Sequence, residues 1–115
     1  MTLEDFRTLC LSFPVASEEI KWDNDLCFLL GKKMFAVAVL DKQPVSISFK
    51  TSPENFDELI ERPGFFPAPY LARYKWVSIK DIEGMSREEL KRLVGNSYQL
   101  VLDKLPQKEK KKLGL

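Results

Sequence analysis

The sequence predicts an α+β domain: an antiparallel sheet with helices packed on one face, a two-layer sandwich. Three observations predict it. The stretch from Leu26 to Lys50 holds three apolar segments of strand length, separated by turns too short for a crossover, so neighbouring strands run antiparallel. One of them alternates Val45, Ile47 and Phe49 with Ser46, Ser48 and Lys50, which leaves one face of the sheet wet. Helix-start signals lie on both sides of this region, and helices must cover the other face. At 115 residues the chain makes one domain, residues 1–115, long enough to bury a core without disulfides or metals.

Thr2 caps a first helix with Asp5 in its first turn and apolar residues at Leu3, Phe6, Leu9 or Cys10, and Phe13; Pro14 stops it. "EEIKWDND" reads as a short edge strand and a polar turn. Leu26–Leu30, Lys33–Leu40 and Val45–Lys50 follow as strands, turned at Gly31-Lys32 and at Asp41-Lys42-Gln43. Ser52-Pro53-Glu54 starts a second helix, with cap, proline at the first helical position and acid in the first turn. It carries Phe56, Leu59 and Ile60 and ends by Pro63-Gly64. "PGFFPAPY" reads as a stiff loop, because each proline biases its predecessor to an extended conformation. A strand follows at Lys75–Ile79. Ser86 and Glu89 form a capping box for the longest helix, whose apolar stripe runs Leu90, Leu93, Val94, Tyr98, Val101, Leu102 and Leu105. Gly95 inside it costs ~1 kcal/mol against alanine, which a close packing contact would explain. After Pro106 comes a basic tail with room for one more helical turn.

Composition bounds the function. The chain is 44% hydrophobic and 30% charged, ordinary for a globular protein. No apolar run approaches ~18 residues, so no membrane span is expected, and the acidic first residues lack the order of a signal peptide. The expected location is cytoplasmic, with Cys10 and Cys27 as reduced core residues. Net charge is +1 overall, but residues 1–30 carry −4, residues 31–89 carry 0 and residues 90–115 carry +5. This is a mild dipole, and nucleic-acid binding would require a local patch.

No histidine is present, which removes the commonest general base and metal ligand. No nucleophile–base pair, phosphate-binding loop or dinucleotide fingerprint is found. The chain is therefore expected to be no enzyme, with no catalytic residues, no cofactor and no metal. The acids Glu18, Glu19, Asp23 and Asp25 around Trp22 read as a solvated rim beside an edge strand.

Two kinds of feature point to binding. The Gly31-Lys32-Lys33 turn and the tail lysines Lys108, Lys110, Lys111 and Lys112 can contact phosphates. The segment "FFPAPYLARYKWVSI" places Tyr70, Tyr74 and Trp76 beside Arg73 and Lys75. With the strand begun at Tyr74, Tyr74, Trp76 and Ser78 fall on one face and Lys75, Val77 and Ile79 on the other. Such a surface can stack a base or a planar ligand, or line a core; Trp76 is expected to be mainly structural.

Taken in order, "TLEDFRTLCLSFP", "EEIKWDNDLCFLLGKKMFAVAVL", "PVSISFK", "PAPYLARYKWVSI" and "LKRLVGNSYQLVLDKLPQKEKK" resemble the MmcQ/YjbR family of small bacterial proteins over nearly the whole chain. The resemblance implies a frataxin-like fold and a DNA-binding role in which two protrusions embrace the duplex as a double wing. The wings here would be the Gly31-Lys32-Lys33 hairpin and the Pro67–Lys75 loop. On that reading Lys32, Lys33, Arg73, Lys75 and the tail lysines Lys108, Lys110, Lys111 and Lys112 would contact phosphates, with Tyr70, Tyr74 or Trp76 stacking or wedging. Relatives often carry histidines near the tryptophan–acid segment and in the Tyr-to-Trp loop; this chain has none. The alternative is a non-enzymatic module that binds a small planar ligand or a protein partner through the aromatic loop 65–76.

Overall fold

The computed structural model describes residues 1–115. Helix α1 spans Leu3–Leu11, and Thr2 and Asp5 close a reciprocal capping box at its start. Strands β1 (Ala16–Lys21), β2 (Asp25–Leu30), β3 (Lys33–Val39) and β4 (Ser46–Lys50) follow. Helix α2 is Pro53–Leu59, capped by Ser52. Strands β5 (Phe65–Pro67) and β6 (Trp76–Ile79) flank a 3-10 turn at Ala72–Tyr74. The long helix α3 is Arg87–Lys104, capped by Ser86, and α4 is Gln107–Lys112.

The six strands lie in the order β1-β2-β3-β4-β6-β5. All five pairings are antiparallel, which the short turns require from β1 to β4; β6 joins β4 across α2 and β5. Strand β5 corrects the expectation of a loop at residues 65–67. Pro67 lacks an N–H, which is tolerable because β5 is the sheet's outer strand and pairs only with β6.

The helices bury the apolar face. Phe6 and Cys10 of α1, Phe56 and Leu59 of α2, and Leu90, Leu93, Val94, Tyr98 and Val101 of α3 pack on Phe28, Phe35, Ile47, Phe49, Val77 and Ile79. Aromatic geometry organises the centre. The Phe13 and Tyr98 rings stack at 5.0 Å, and Phe35 meets each of them edge-on. Such pairs add ~0.5–1.5 kcal/mol beyond the area they bury. The Tyr98 hydroxyl donates to the Pro14 carbonyl at 2.7 Å, so its polar end is satisfied.

A bulge shapes the rest. Phe28 pairs with Ala36 and Leu29 with Met34, which leaves Phe35 as an extra residue in β3. The β3–β4 ladder also stops at Ala36–Phe49, one step short of Lys50. Ser97 of α3, fully buried, fills the gap. Its hydroxyl donates to the Phe35 carbonyl at 2.6 Å and accepts the Lys50 N–H at 2.9 Å.

The opposite face has no helix. A smaller cluster covers part of it, with Cys27, Leu29, Val37, Ala68 and Trp76 buried and Met34 and Leu71 packed alongside. Trp76 is therefore structural, but on this second face and not in the main core.

Gly95 departs from expectation. A Cβ there would meet the Phe13 ring at 3.7 Å, an ordinary van der Waals contact. Gly95→Ala is therefore expected to stabilise the fold by ~0.5–1 kcal/mol. Ser97→Ala is expected to destabilise it by ~1–3 kcal/mol, because a buried carbonyl and a buried N–H lose their partner together. Urea unfolding of both variants beside the parent measures the two effects.

Candidate anion and nucleic-acid interface

Helix periodicity carries the Ser97 bridge into a site. Val101, Lys104 and Leu105 lie four, seven and eight residues beyond Ser97, on the same side of α3. Pinning Ser97 over β3 and β4 therefore brings the end of α3 to the ends of those strands. There Lys33, Lys50 and Lys104 line one cleft of about 350 Å³ with Met34, Leu71, Tyr74, Trp76, Val101 and Leu105. No carboxylate lines it, and none of the three lysines forms an ion pair.

Lys50 is the most constrained of the three. Its backbone is tied to Ser97, and its side chain is half-buried. Burial, followed by the charges of Lys104 and Lys33, holds its ammonium below the ordinary lysine value of 10.5. Three cations around one apolar-floored cleft can receive an anion, which would relieve their mutual repulsion.

The residues singled out from sequence divide. Lys33 lines the lysine cleft, and Lys32 is exposed at the adjoining hairpin tip. Gly31 allows this turn through a left-handed backbone, φ +65°. The tail folds as α4 and does not dangle. Leu113, just beyond it, packs against the core, and its Cδ1 would lie 3.4 Å from a Cβ built on Gly31. Lys108, Lys110, Lys111 and Lys112 are thus carried at the hairpin end of the molecule, with only Lys112 ion-paired, to Glu109 at 3.7 Å.

The second expected protrusion folds back. Ala68 is buried and bonds its N–H to the Trp76 carbonyl at 3.0 Å. The Arg73 guanidinium lies 4.8 Å from the ring centre of Tyr74, which lines the lysine cleft. Lys75 does not join them. Its backbone is left-handed at φ +66°, its carbonyl is held by the Thr51 N–H and hydroxyl, and its ammonium lies 5.0 Å from the Phe56 ring centre. Tyr70 lines a neighbouring cleft. Lys50 and Lys104, not expected from sequence, complete the cation cluster. The packing of α3 on the sheet and the bridge at Ser97 bring them together, and no spacing rule encodes it.

The acids around Trp22 do not converge either. Arg7 clasps Glu18 through Nε and Nη2, at 2.8 Å and 2.6 Å, which joins α1 to β1. Asp25 faces the neighbouring cleft, and burial, with Asp41 nearby, raises its carboxyl above the usual range.

The YjbR family model matches residues 11–100, and the chain belongs to the YjbR family. A crystal structure of a Deinococcus radiodurans protein with a DUF419 domain superposes with a TM-score of 0.87 at 30% identity, covering 99% of this chain and 88% of that one. A Pseudomonas syringae protein superposes with a TM-score of 0.75 at 19% identity, covering 87% and 98% respectively, a likeness of fold. No curated protein matches the sequence. No helix is long and apolar enough to cross a membrane.

The lysine cluster has a pH signature. Because Lys50 titrates lower in the folded chain than in the unfolded one, its protonated form opposes folding at neutral pH. That penalty fades as pH rises through the folded value towards 10.5. Lys33→Gln with Lys104→Gln is expected to move the Lys50 midpoint upward in an NMR titration and to raise Tm at pH 7. Inorganic phosphate is expected to raise Tm in the parent more than in this double variant.

Proposed function

We propose that this YjbR-family protein is a non-enzymatic DNA-binding protein that grips phosphates with its basic end. The observation that carries the reading is the convergence of Lys33, Lys50 and Lys104 on one cleft without a carboxylate partner. Lys32 and the α4 lysines extend the same end of the molecule, and Arg73 on Tyr74 borders it. Phosphate contacts of this kind need no base reading and are driven by counterion release. The cytoplasm suits two free, buried thiols, Cys10 and Cys27.

The basic end forms one cation surface rather than two opposed wings. Lys75 is outside it, so the reading assigns that residue no contact. This differs from the double-wing arrangement and makes the two separable by mutation.

The test is fluorescence anisotropy of labelled duplex and single-stranded oligonucleotides over a range of salt. Saturable binding with a log–log salt slope near −3 is expected, since each duplex phosphate contributes about −0.9. Lys33→Gln and Lys104→Gln are each expected to weaken binding roughly five-fold and to flatten the slope by about 1. Lys75→Gln is expected to change neither. A Kd above ~1 mM at low salt for both forms, or affinity unmoved by Lys33→Gln and Lys104→Gln, would sink the proposal.

A further inference from the structure

A second cleft lies against the lysine cleft on the helix-free face, and the two share Met34 and Leu71 as their dividing wall. It measures about 460 Å³ and has an apolar floor of Val37, Val39 and Ala68. That volume is within the usual range for small-molecule sites.

Two aromatic residues stand at this cleft, and neither is buried; the Lys21 ammonium lies 5.9 Å from the Trp22 ring centre. Trp22 is 71% exposed and Tyr70 is 97% exposed. Both have left-handed backbones, with φ +51° and +65°. For bulky L-residues this costs ~1–3 kcal/mol each, and no burial offsets it. Exposed rings held at that cost beside an apolar floor are placed for a ligand rather than for stability.

Two polar groups in the cleft lack protein partners. The Asp25 carboxylate makes no ion pair, and neither it nor the Ser48 hydroxyl makes a hydrogen bond to another side chain. A few unpaired polar groups in an apolar cleft fix the orientation of what binds there. A carboxylate only accepts hydrogen bonds and can take two parallel donors. Among the bases, guanine alone presents two adjacent donors, N1–H and N2–H, on its Watson–Crick edge. Adenine and cytosine place a ring acceptor beside their amino group, which a carboxylate repels.

We propose that the Trp22–Tyr70 cleft takes an unpaired guanine base, stacked by the aromatic rings and held at its Watson–Crick edge by Asp25, while the strand's phosphate lies in the lysine cleft next door. The preferred ligand is then single-stranded, because a duplex hides that edge and both ring faces. The inference deepens the DNA-binding reading for the strand, but the base cleft can be tested without any phosphate.

Trp22 supplies the signal, because Trp76, the other tryptophan, is only 5% exposed. Tryptophan emission is titrated with guanosine, adenosine, cytidine and guanosine 5′-monophosphate. Guanosine is expected to quench saturably, with adenosine and cytidine at least ~10-fold weaker, a difference of ~1.4 kcal/mol. The monophosphate is expected to bind ~10-fold tighter than guanosine. Lys33→Gln with Lys104→Gln should abolish that advantage and leave guanosine unchanged. Asp25→Asn is expected to remove the base preference. Tyr70→Gly is expected to weaken guanosine binding while Tm stays level or rises, because glycine relieves the left-handed strain; a fold defect is thereby excluded. A guanine-containing single strand is expected to bind ~10-fold tighter than its duplex.

No change in emission with guanosine or its monophosphate up to ~1 mM overturns the proposal. So does equal quenching by all three nucleosides, or a dimer in sedimentation that buries Trp22. Loss of oligonucleotide binding with guanosine quenching intact defeats the phosphate reading instead. Equal binding of single strand and duplex with no quenching defeats the base cleft alone.

Discussion

A single hydroxyl, that of Ser97, determines how the helical layer sits on the sheet. The bulge at Phe35 and the early end of the β3–β4 ladder leave a carbonyl and an N–H facing the helices. In an apolar layer each would cost ~1–3 kcal/mol unpaired, and Ser97 satisfies both. A hydrogen bond is directional where apolar packing is not. The bridge therefore fixes the rotation and depth of α3, which burial of Leu90, Val94 and Tyr98 would leave looser. Everything downstream inherits that rotation: Lys104 beside Lys50, Leu105 at the cleft wall, and α4 against the β2–β3 hairpin.

The two faces of the sheet consequently obey different physics. On the helix side, fully buried apolar residues and satisfied polar groups reinforce one another, and the edge-on rings of Phe35 and Tyr98 are typical of a core that specifies one packing. On the other side, a small cluster around Trp76 supports two clefts. Trp76 links the faces. Its neighbour Val77 belongs to the main core, while its own ring covers the second face and floors the lysine cleft. The strand's two-residue period thus joins the site directly to the hydrophobic core.

Local chemistry was the legible part of this architecture. Thr2, Ser52 and Ser86 mark helix starts because a cap is read from adjacent residues. Alternation in Val45–Lys50 and short turns predict antiparallel neighbours for the same reason. β5 was hidden because three residues ending in proline carry too little period, and only the pairing with β6 makes them a strand. The site was half legible. Lys32, Lys33 and the tail lysines stand out as runs, whereas Lys50 ends an alternating strand and Lys104 sits in the last turn of a helix, where lysines are ordinary. Lys75 misled because its place between Tyr74 and Trp76 suggests a shared surface. The 3-10 turn and left-handed backbone send its ammonium to Phe56 instead.

What remains after the fold is accounted for is concentrated at two adjoining clefts. The uncompensated features are three like-charged lysines, two exposed aromatics with left-handed backbones, and a carboxylate with no partner in an apolar cleft. Each lowers stability, and each has a simple replacement that would raise it: glutamine for a lysine, glycine for Tyr70, or a small apolar residue for Asp25. No buried side-chain polar atom anywhere in the chain lacks a partner, so these conflicts lie in partly exposed groups. Val15, exposed with φ +52°, and Lys75, with φ +66°, are strained away from the clefts, but at the clefts the conflicts are ones a ligand would resolve. An anion relieves the lysines, a planar ring covers the aromatics, and paired donors satisfy the carboxylate. A nucleotide carries all three groups in one molecule, and that is why the two clefts are better explained together than apart.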